Sequence, residues 1–367
     1  MNIIYATPQL LPSLAANTIQ TAKMCNALSE SGHSVAIFGE SPRGISHSVW
    51  RRRVREHYGL YPSIALEPFT GGRLRISRVA SYAVTFLRLM RKSRYDVVYT
   101  RSIVFGVLAS LSRKYTLLEV HDLPSARQRM VIKALSKFGL KIASPSRSLL
   151  RYLRRFGGYK TAILHWLPHG VDCLSDGSER LERFSLNRAF VCAYAGSSKR
   201  GKGLALMDSL ASRMPDVGFR LIVSGGVPED LKASIENKGN TEVFYDVPPW
   251  DVKRLLGEAE VLLNPVEKYI WLSESRKSRQ LAPLKSAEYL GYGKPIVASA
   301  IWPNKEMFGP LGAAILCPAA EVRCWEEQIG KLRASLEARG GLASRAVQAA
   351  KVMAWSQRVE RFEAIWK

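Results

Sequence analysis

The stretch Gln280 to Ser299, QLAPLKSAEYLGYGKPIVAS, constrains the fold more than any other part of the chain. Pro283 suits a first helical turn, where its missing N–H has no partner to lose. Leu284, Ala287 and Leu290 follow at near-helical spacing, and Gly291 and Gly293 end the rhythm. Lys294-Pro295 then leads into Ile296-Val297-Ala298, a β-branched run of the kind found in a parallel strand buried on both faces. A polar loop, a short helix and a buried parallel strand in that order predict an α/β protein. Free N–H groups at such a helix N-terminus, together with the helix dipole, favour a phosphate there. Glu288 is the one acid in the helix, and the segment is expected to hold a nucleotide diphosphate and its ribose.

The same grammar runs through the chain. Asn2 to Ala6 reads as a strand, Ala15 to Ser31 as a helix stopped by Gly32, and Ser34 to Phe38 as a second strand, a βαβ opening. Residues 43–60 read as irregular and basic, and Arg78 to Arg94 as a helix. Strands are expected at 96–100, 115–120, 141–143 and 162–164, with helices at 103–111, 131–138 and from Ser146, its N-cap, through Leu153. Pro168-His169-Gly170-Val171-Asp172 breaks the pattern, and Asp176-Gly177-Ser178 reads as a linker. A second series begins at Phe190, with strands at 190–195, 220–223, 241–245 and 261–264, and helices at 204–214, 229–238 and 250–257. Glu267 to Arg279 is a polar insertion, and one long helix is expected from about Ala343 to Trp366. With 367 residues and 47% apolar content, two doubly wound domains are expected.

Composition narrows the function. Five scattered cysteines without metal-ligand spacing suit a reducing compartment and exclude a disulfide frame or a zinc site. No secretory signal and no transmembrane run of 18 apolar residues is read from the sequence. The first βαβ loop lacks G-x-G-x-x-G, which disfavours a dehydrogenase. The net charge of +23 is unevenly placed: residues 1–170 hold 26 Lys+Arg against 7 Asp+Glu, a net of +19. Such a half calls for an anionic partner: a phospholipid surface, a lipid-diphosphate acceptor or nucleic acid. Trp50, Arg51, Arg52, Arg53 and Arg55, with Arg151, Arg154 and Arg155, are read as a membrane-contact face. His33 and His169 read as structural turn residues.

PHGVD between the two series, GSSKRGKG at 196–203 and APLKSAEYLGYGKPIVAS late in the chain resemble the retaining glycosyltransferases of family 4. PSLAANTIQTAKMCNALSESGHSV and VVYTRS…EVHD are similar to a branch acting in bacterial surface-polysaccharide assembly. The resemblance implies the GT-B fold, an α/β architecture of two doubly wound Rossmann-like domains facing a central cleft. Residues 1–172 would form the acceptor and membrane side, 173–350 the nucleotide-sugar domain, and 351–367 a C-terminal helix packing back toward the first. It also implies roles. Lys202 would meet the donor diphosphate with the amides of Gly196 and Ser197. Lys199 or Arg200 would supply the second cation, because Ser197 stands where the family often has Arg, and Gly203 closes that loop. Glu288 would bind the ribose. Gln280 replaces the family's first acid and keeps hydrogen-bonding capacity toward the donor sugar. The amides of Ala282, Leu284 and Lys285, beside Pro283, would line the pyrophosphate. His121 would face the donor sugar, with Glu119 beside it, and the loop carrying Pro12, Ser13, Ala16 and Asn17 would cover the acceptor side.

The expected activity is transfer of a sugar from a nucleotide-diphosphate sugar to a lipid-linked or polysaccharide acceptor, by a peripheral enzyme on the inner face of the cytoplasmic membrane. No cofactor and no metal are expected, in keeping with the absence of a D-x-D motif. Two alternatives remain open at this point: a basic nucleic-acid-binding protein, although no stacking module or helix-turn-helix is present, and a nucleotide-sugar epimerase on the same fold.

Overall fold

The computed structural model describes residues 1–72, 75–92, 94–112, 114–173, 190–273, 276–278 and 284–367. Packing divides them into two compact units, 1–170 with 355–367, and 171–354. The expected linker at Asp176-Gly177-Ser178 lies outside the described residues.

In the first unit the chain runs β1 (Asn2–Leu10), α1 (Ala16–Glu30), β2 (Ser34–Ser41), α2 (His47–Tyr58), β3 (Ala65–Thr70), α3 (Arg75–Lys92), β4 (Val97–Thr100), α4 (Ile103–Leu111), β5 (Tyr115–Glu119), α5 (Ala126–Leu135), β6 (Leu140–Ser144), α6 (Arg147–Gly157) and β7 (Leu164–Trp166). All seven strands are parallel, in the order β3-β2-β1-β4-β5-β6-β7. The strands are apolar almost throughout, as burial on both faces requires. Strand order reverses between β1 and β4, the place in such a sheet where a crevice forms outside the carboxyl ends of the strands.

Three expectations about this unit change. Residues 43–60, expected to be irregular, contain α2. Ser46 caps it by accepting the Val49 N–H, and Trp50 and Val54, four residues apart, bury their side chains in the core. β3 was not expected at all. It is an edge strand, the place where Pro68 is tolerated because no neighbour needs its N–H. The strand expected at 162–164 begins only at Leu164, after a 3-10 turn.

The second unit runs β8 (Val191–Ser197), α7 (Leu204–Arg213), β9 (Gly218–Ser224), α8 (Glu229–Glu236), β10 (Thr241–Tyr245), α9 (Pro249–Gly257), β11 (Val261–Asn264), β12 (Ile270–Ser273), β13 (Arg276–Ser278), α10 (Leu284–Gly291), β14 (Ile296–Ser299), α11 (Trp302–Phe308), β15 (Ile315–Cys317), α12 (Val322–Ala334) and α13 (Leu336–Val352). Its parallel sheet has the order β10-β9-β8-β11-β14-β15, with the reversal between β8 and β11. The polar insertion holds the antiparallel pair β12–β13.

The single long helix expected at the C-terminus is two. α13 ends where the Met353 carbonyl accepts the N–H of Val171 rather than that of a following helical residue. The chain restarts as α14 (Trp355–Ala364), which packs into the first unit. There Arg358, 1% exposed, donates to both oxygens of Glu119 at 2.9 and 3.0 Å and to the carbonyls of Leu167 and Pro168.

Arg358→Met strands the buried Glu119 carboxylate, and we expect it to lower the unfolding free energy by about 3–5 kcal/mol in urea titrations. Burial alone would raise the Glu119 carboxyl, but Arg358 and then His121 hold it well below the usual range. The pair therefore stabilises above the unfolded carboxylate value, near pH 4.3, and loses this as pH falls through the lower folded value. The variant should lose that acid-side dependence.

Candidate active site

In the first unit the carboxyl ends of the strands carry a row of polar side chains. Glu119 is 3% exposed. It accepts from Tyr99 and Arg358, and His121 Nε2 lies 2.7 Å from its Oε1. Because the carboxylate is ionised, Nε2 carries the proton, and the neutral ring keeps Nδ1 as an acceptor. Burial lowers the His121 pKa below its ordinary value despite the pull of Glu119. Beside it stands His169, with ring centroids 5.4 Å apart. Arg101 Nη1 donates to Gln20 Oε1 at 3.1 Å, which turns the Gln20 amide nitrogen toward His169 Nδ1, 2.6 Å away. Arginine can only donate, so the Gln20 orientation and the His169 tautomer follow from it.

A cavity of about 260 Å³ opens at the β1/β4 switch point and is lined by Tyr5, Thr7, Gln9, Asn17, Thr21 and Arg101, among others. Its wall includes the start of α1. The loop before that helix is held rigidly: Tyr58 Oη accepts from the Ser13 N–H at 2.7 Å and donates to the Ser13 carbonyl at 2.9 Å. Trp50 Nε1 donates to the Leu11 carbonyl at 2.7 Å. Of the loop residues expected on the acceptor side, Asn17 lines the cavity, Pro12 and Ser13 are half-buried, and Ala16 is exposed.

Two expectations fail here on burial. Glu119 does not meet a ligand: both oxygens are taken inside the protein, so its role is to hold His121. Trp50 is 1% exposed and cannot enter a membrane. Arg51 and Arg55 turn inward to the carbonyls of Leu66 and Ile64, which leaves Arg52 and Arg53 as the exposed pair on α2 without such a bond among those described. Arg151, Arg154 and Arg155 are all exposed on α6. Sequence reading missed Gln20, Arg101 and His169 as members of the polar row. The position of Arg101 directly after β4 was the available signal. His33 is structural, bonding Glu363 of α14 at 2.8 Å.

In the second unit the Gly/Lys-rich segment starts later than expected. Gly196 and Ser197 are the last residues of β8, paired with Val223 and Ser224 of β9. The turn proper, 198–203, lies over the β11 end. Gly203 caps α7 with φ +92°, and a side chain there would strike the Pro265 carbonyl. The Gly201 and Arg200 carbonyls accept from the N–H groups of Glu267 and Trp271 at 2.9 and 3.1 Å. Lys199 and Arg200 are exposed, the latter over the Trp271 ring. Lys202 is half-buried, and burial, then Lys199, lowers its pKa.

Opposite this turn, α10 is pinned at its first turns. Ser286 bridges Asn264 and Asn304 at 2.8 and 2.9 Å, and Tyr289 Oη accepts the Ala195 N–H at 2.9 Å. The first N–H groups of α10, those of Leu284 and Lys285 among them, have no intrahelical acceptor. Lys285 Nζ lies 4.1 Å from the Tyr194 ring centre, and its electrostatics couple to Lys202 and Glu288. Glu288 is exposed. Gln280, Ala282 and Pro283 lie outside the described residues. Two lysines, helix-terminal amides and an acid thus meet at the β8/β11 switch point, a set suited to a phosphate and a vicinal diol.

Comparison with known proteins bears on the family and the fold. Residues 19–173 match the family model Glycosyltransferase Family 4. No curated protein matches the sequence. Anabaena Alr3699/HepE, solved in complex with UDP, is 14% identical with a TM-score of 0.73, over 100% of this chain and 99% of its own. Sucrose-phosphate synthase from Thermosynechococcus elongatus is 16% identical with a TM-score of 0.71, over 100% and 98%. WaaG, a glycosyltransferase involved in lipopolysaccharide biosynthesis, is 13% identical with a TM-score of 0.64, over 99% and 98%. The structural likeness defines the fold as GT-B, two Rossmann-like units each built on a parallel sheet. The family match covers less than half of the chain, residues 19–173, so this stretch is similar to Glycosyltransferase Family 4, while the whole chain shares the GT-B fold.

Titration of the His121 ring by NMR should give a midpoint below the ordinary histidine value of about 6.5. A midpoint above it would mean that Glu119 outweighs burial, and one above about 7 that the ring is mostly cationic at neutral pH.

Proposed function

We propose that the protein is a retaining, metal-independent glycosyltransferase that moves a sugar from a nucleotide-diphosphate sugar to a lipid-linked or polysaccharide acceptor in cell-surface glycan assembly. The observation that carries the donor half is the meeting of Lys202, Lys285 and the start of α10 at the β8/β11 switch point. Departure of a nucleoside diphosphate leaves negative charge on its terminal phosphate. Lysine ammonium groups and helix-terminal amides stabilise that charge where it develops, the task a divalent cation performs in other transferases. Glu288, exposed one turn into α10, suits the ribose hydroxyls. UDP in the Anabaena structure and the lipopolysaccharide role of WaaG support the donor class and a glycan acceptor. Retention follows the resemblance to family 4.

The acceptor side falls to the first unit. Its cavity offers hydroxyl, amide and guanidinium groups, a lining suited to sugar hydroxyls and to a phosphate. His121, held neutral with Nδ1 as acceptor, can orient a sugar hydroxyl without adding charge.

Among the described residues no helix is long and apolar enough to cross a membrane. Contact with the inner face of the cytoplasmic membrane is assigned to α6 and its neighbour α5. Arg151, Arg154 and Arg155 are exposed, and Phe156 beside them is 65% exposed. Tyr159, just past α6, bonds the Arg129 carbonyl of α5 at 2.9 Å, and the next residue, Met130, is 71% exposed. Basic side chains with interspersed apolar ones suit an anionic interface, where each cation contributes on the order of 1 kcal/mol.

A thermal-shift screen of nucleoside diphosphates should raise the melting point with at least one base, since a ligand bound only by the folded state stabilises it. With the donor so identified, Lys202→Ala should lower turnover by about 100-fold or more, in the range of a lost oxyanion donor. Glu288→Ala should instead weaken donor affinity. Turnover near wild type in Lys202→Ala would remove the diphosphate assignment. Changing Arg151, Arg154 and Arg155 to Gln should reduce sedimentation with anionic liposomes, and equal pelleting would remove the membrane assignment from α6.

A further inference from the structure

We propose that the Lys285 side chain, and not only its amide, is the second cation for the donor diphosphate. It does the work that the family pattern gives to an arginine after the loop's first glycine, where this chain has Ser197. The proposal rests on the nucleotide-sugar reading above and deepens it.

Lys285 is the second residue of α10. Its Nζ is fully buried and makes no hydrogen bond among the described residues, although an ammonium has three donors to place. Below it lies the Tyr194 ring, 4.1 Å away, whose hydroxyl is turned toward the Lys202 carbonyl at 3.1 Å. Gly196 makes this position available. A Cβ built on Gly196 would come within 2.7 Å of Nζ and collide with the Tyr194 hydroxyl as well. The ammonium therefore borders the backbone of β8 just before it enters the 198–203 turn.

The charges around it are unbalanced. Lys202 faces it from the loop, Glu288 from one turn further along α10, and the Tyr194 phenol from β8 is neutral. Burial and then Lys202 push the Lys285 pKa well below the lysine range, more than Glu288 restores. A buried ammonium without an acceptor is unfavourable, and a face-on aromatic ring offsets only part of that. An anion with two charged groups a few ångströms apart relieves both lysines at once, and the diphosphate of a nucleotide sugar is such an anion. Its arrival would also return a proton to whatever fraction of Lys285 is neutral.

The test uses calorimetry on the full chain with inorganic pyrophosphate and with UDP, GDP, ADP and CDP. Lys285→Met keeps the stem and removes the charge. We expect it to weaken binding of pyrophosphate and of the best diphosphate at least about tenfold, as for a lost charged hydrogen bond. Affinity for the corresponding unphosphorylated nucleoside should be unchanged, and that binding also reports correct folding. Should the Met variant fail to fold, Lys285→Gln serves the same comparison. For the wild type, the heats of nucleoside-diphosphate binding should shift between buffers of different ionisation enthalpy, showing proton uptake that is smaller in the variant. If the wild type binds a diphosphate and the charge-free variant binds it equally well, the Lys285 assignment is overturned while the donor reading stands. If the wild type binds neither pyrophosphate nor any of the four diphosphates, both fall.

Discussion

The ion pair between Glu119 and Arg358 is the interaction on which the first unit depends. It joins the carboxyl end of a central strand to a helix 239 residues further along the chain. A buried pair of this kind contributes little by charge alone, because desolvation offsets the attraction. Here the surrounding bonds make the difference. Arg358 also donates to two backbone carbonyls and to Tyr99, and the carboxylate accepts from Tyr99 and His121 as well. Removing either partner therefore unsettles the strand end, the 167–168 turn and the ring of His121 together. A candidate site residue near the middle of the chain is positioned by its last few residues.

What the sequence showed most clearly were the parallel strands. Burial on both faces forces continuous apolar runs such as Ile296-Val297-Ala298, and these stand out without any knowledge of their neighbours. The α2 helix was hidden because Arg51, Arg52, Arg53 and Arg55 dominate its composition, while the burial signal reduces to Trp50 and Val54 at helical spacing. The break between α13 and α14 could not be read locally. It is set by a hydrogen bond from Val171, far away in sequence, and local helix preference runs straight through it.

The same division holds for the site. Lys202 and Glu288 could be proposed from the sequence because loop and helix motifs are local. The pairing of Gln20 with His169 spans 149 residues, and the placing of Lys285 beside Gly196 spans two elements, so neither has a local signature. Glu119 illustrates the converse. Its position at a strand end suggested contact with a ligand, yet its oxygens are all occupied by internal donors.

Charge counts alone point away from the half of the molecule proposed to hold the diphosphate. Residues 1–170 carry the excess of +19, yet the α6 arginines among them are exposed, and Arg358, which α14 brings into the same unit, is buried and paired. Hydrated cations are inexpensive to maintain and attract any polyanion weakly, which suits a lipid surface. The second half is nearly neutral in comparison, but it holds Lys285 stripped of water beside Lys202, with no acceptor for its protons among the described residues. A protein keeps such an arrangement against its own stability only where something else supplies the missing charge. Lys285 is a buried cation whose hydrogen bonds are unmade among the described residues, and it stands at the β8/β11 switch point, the place proposed above for the donor diphosphate.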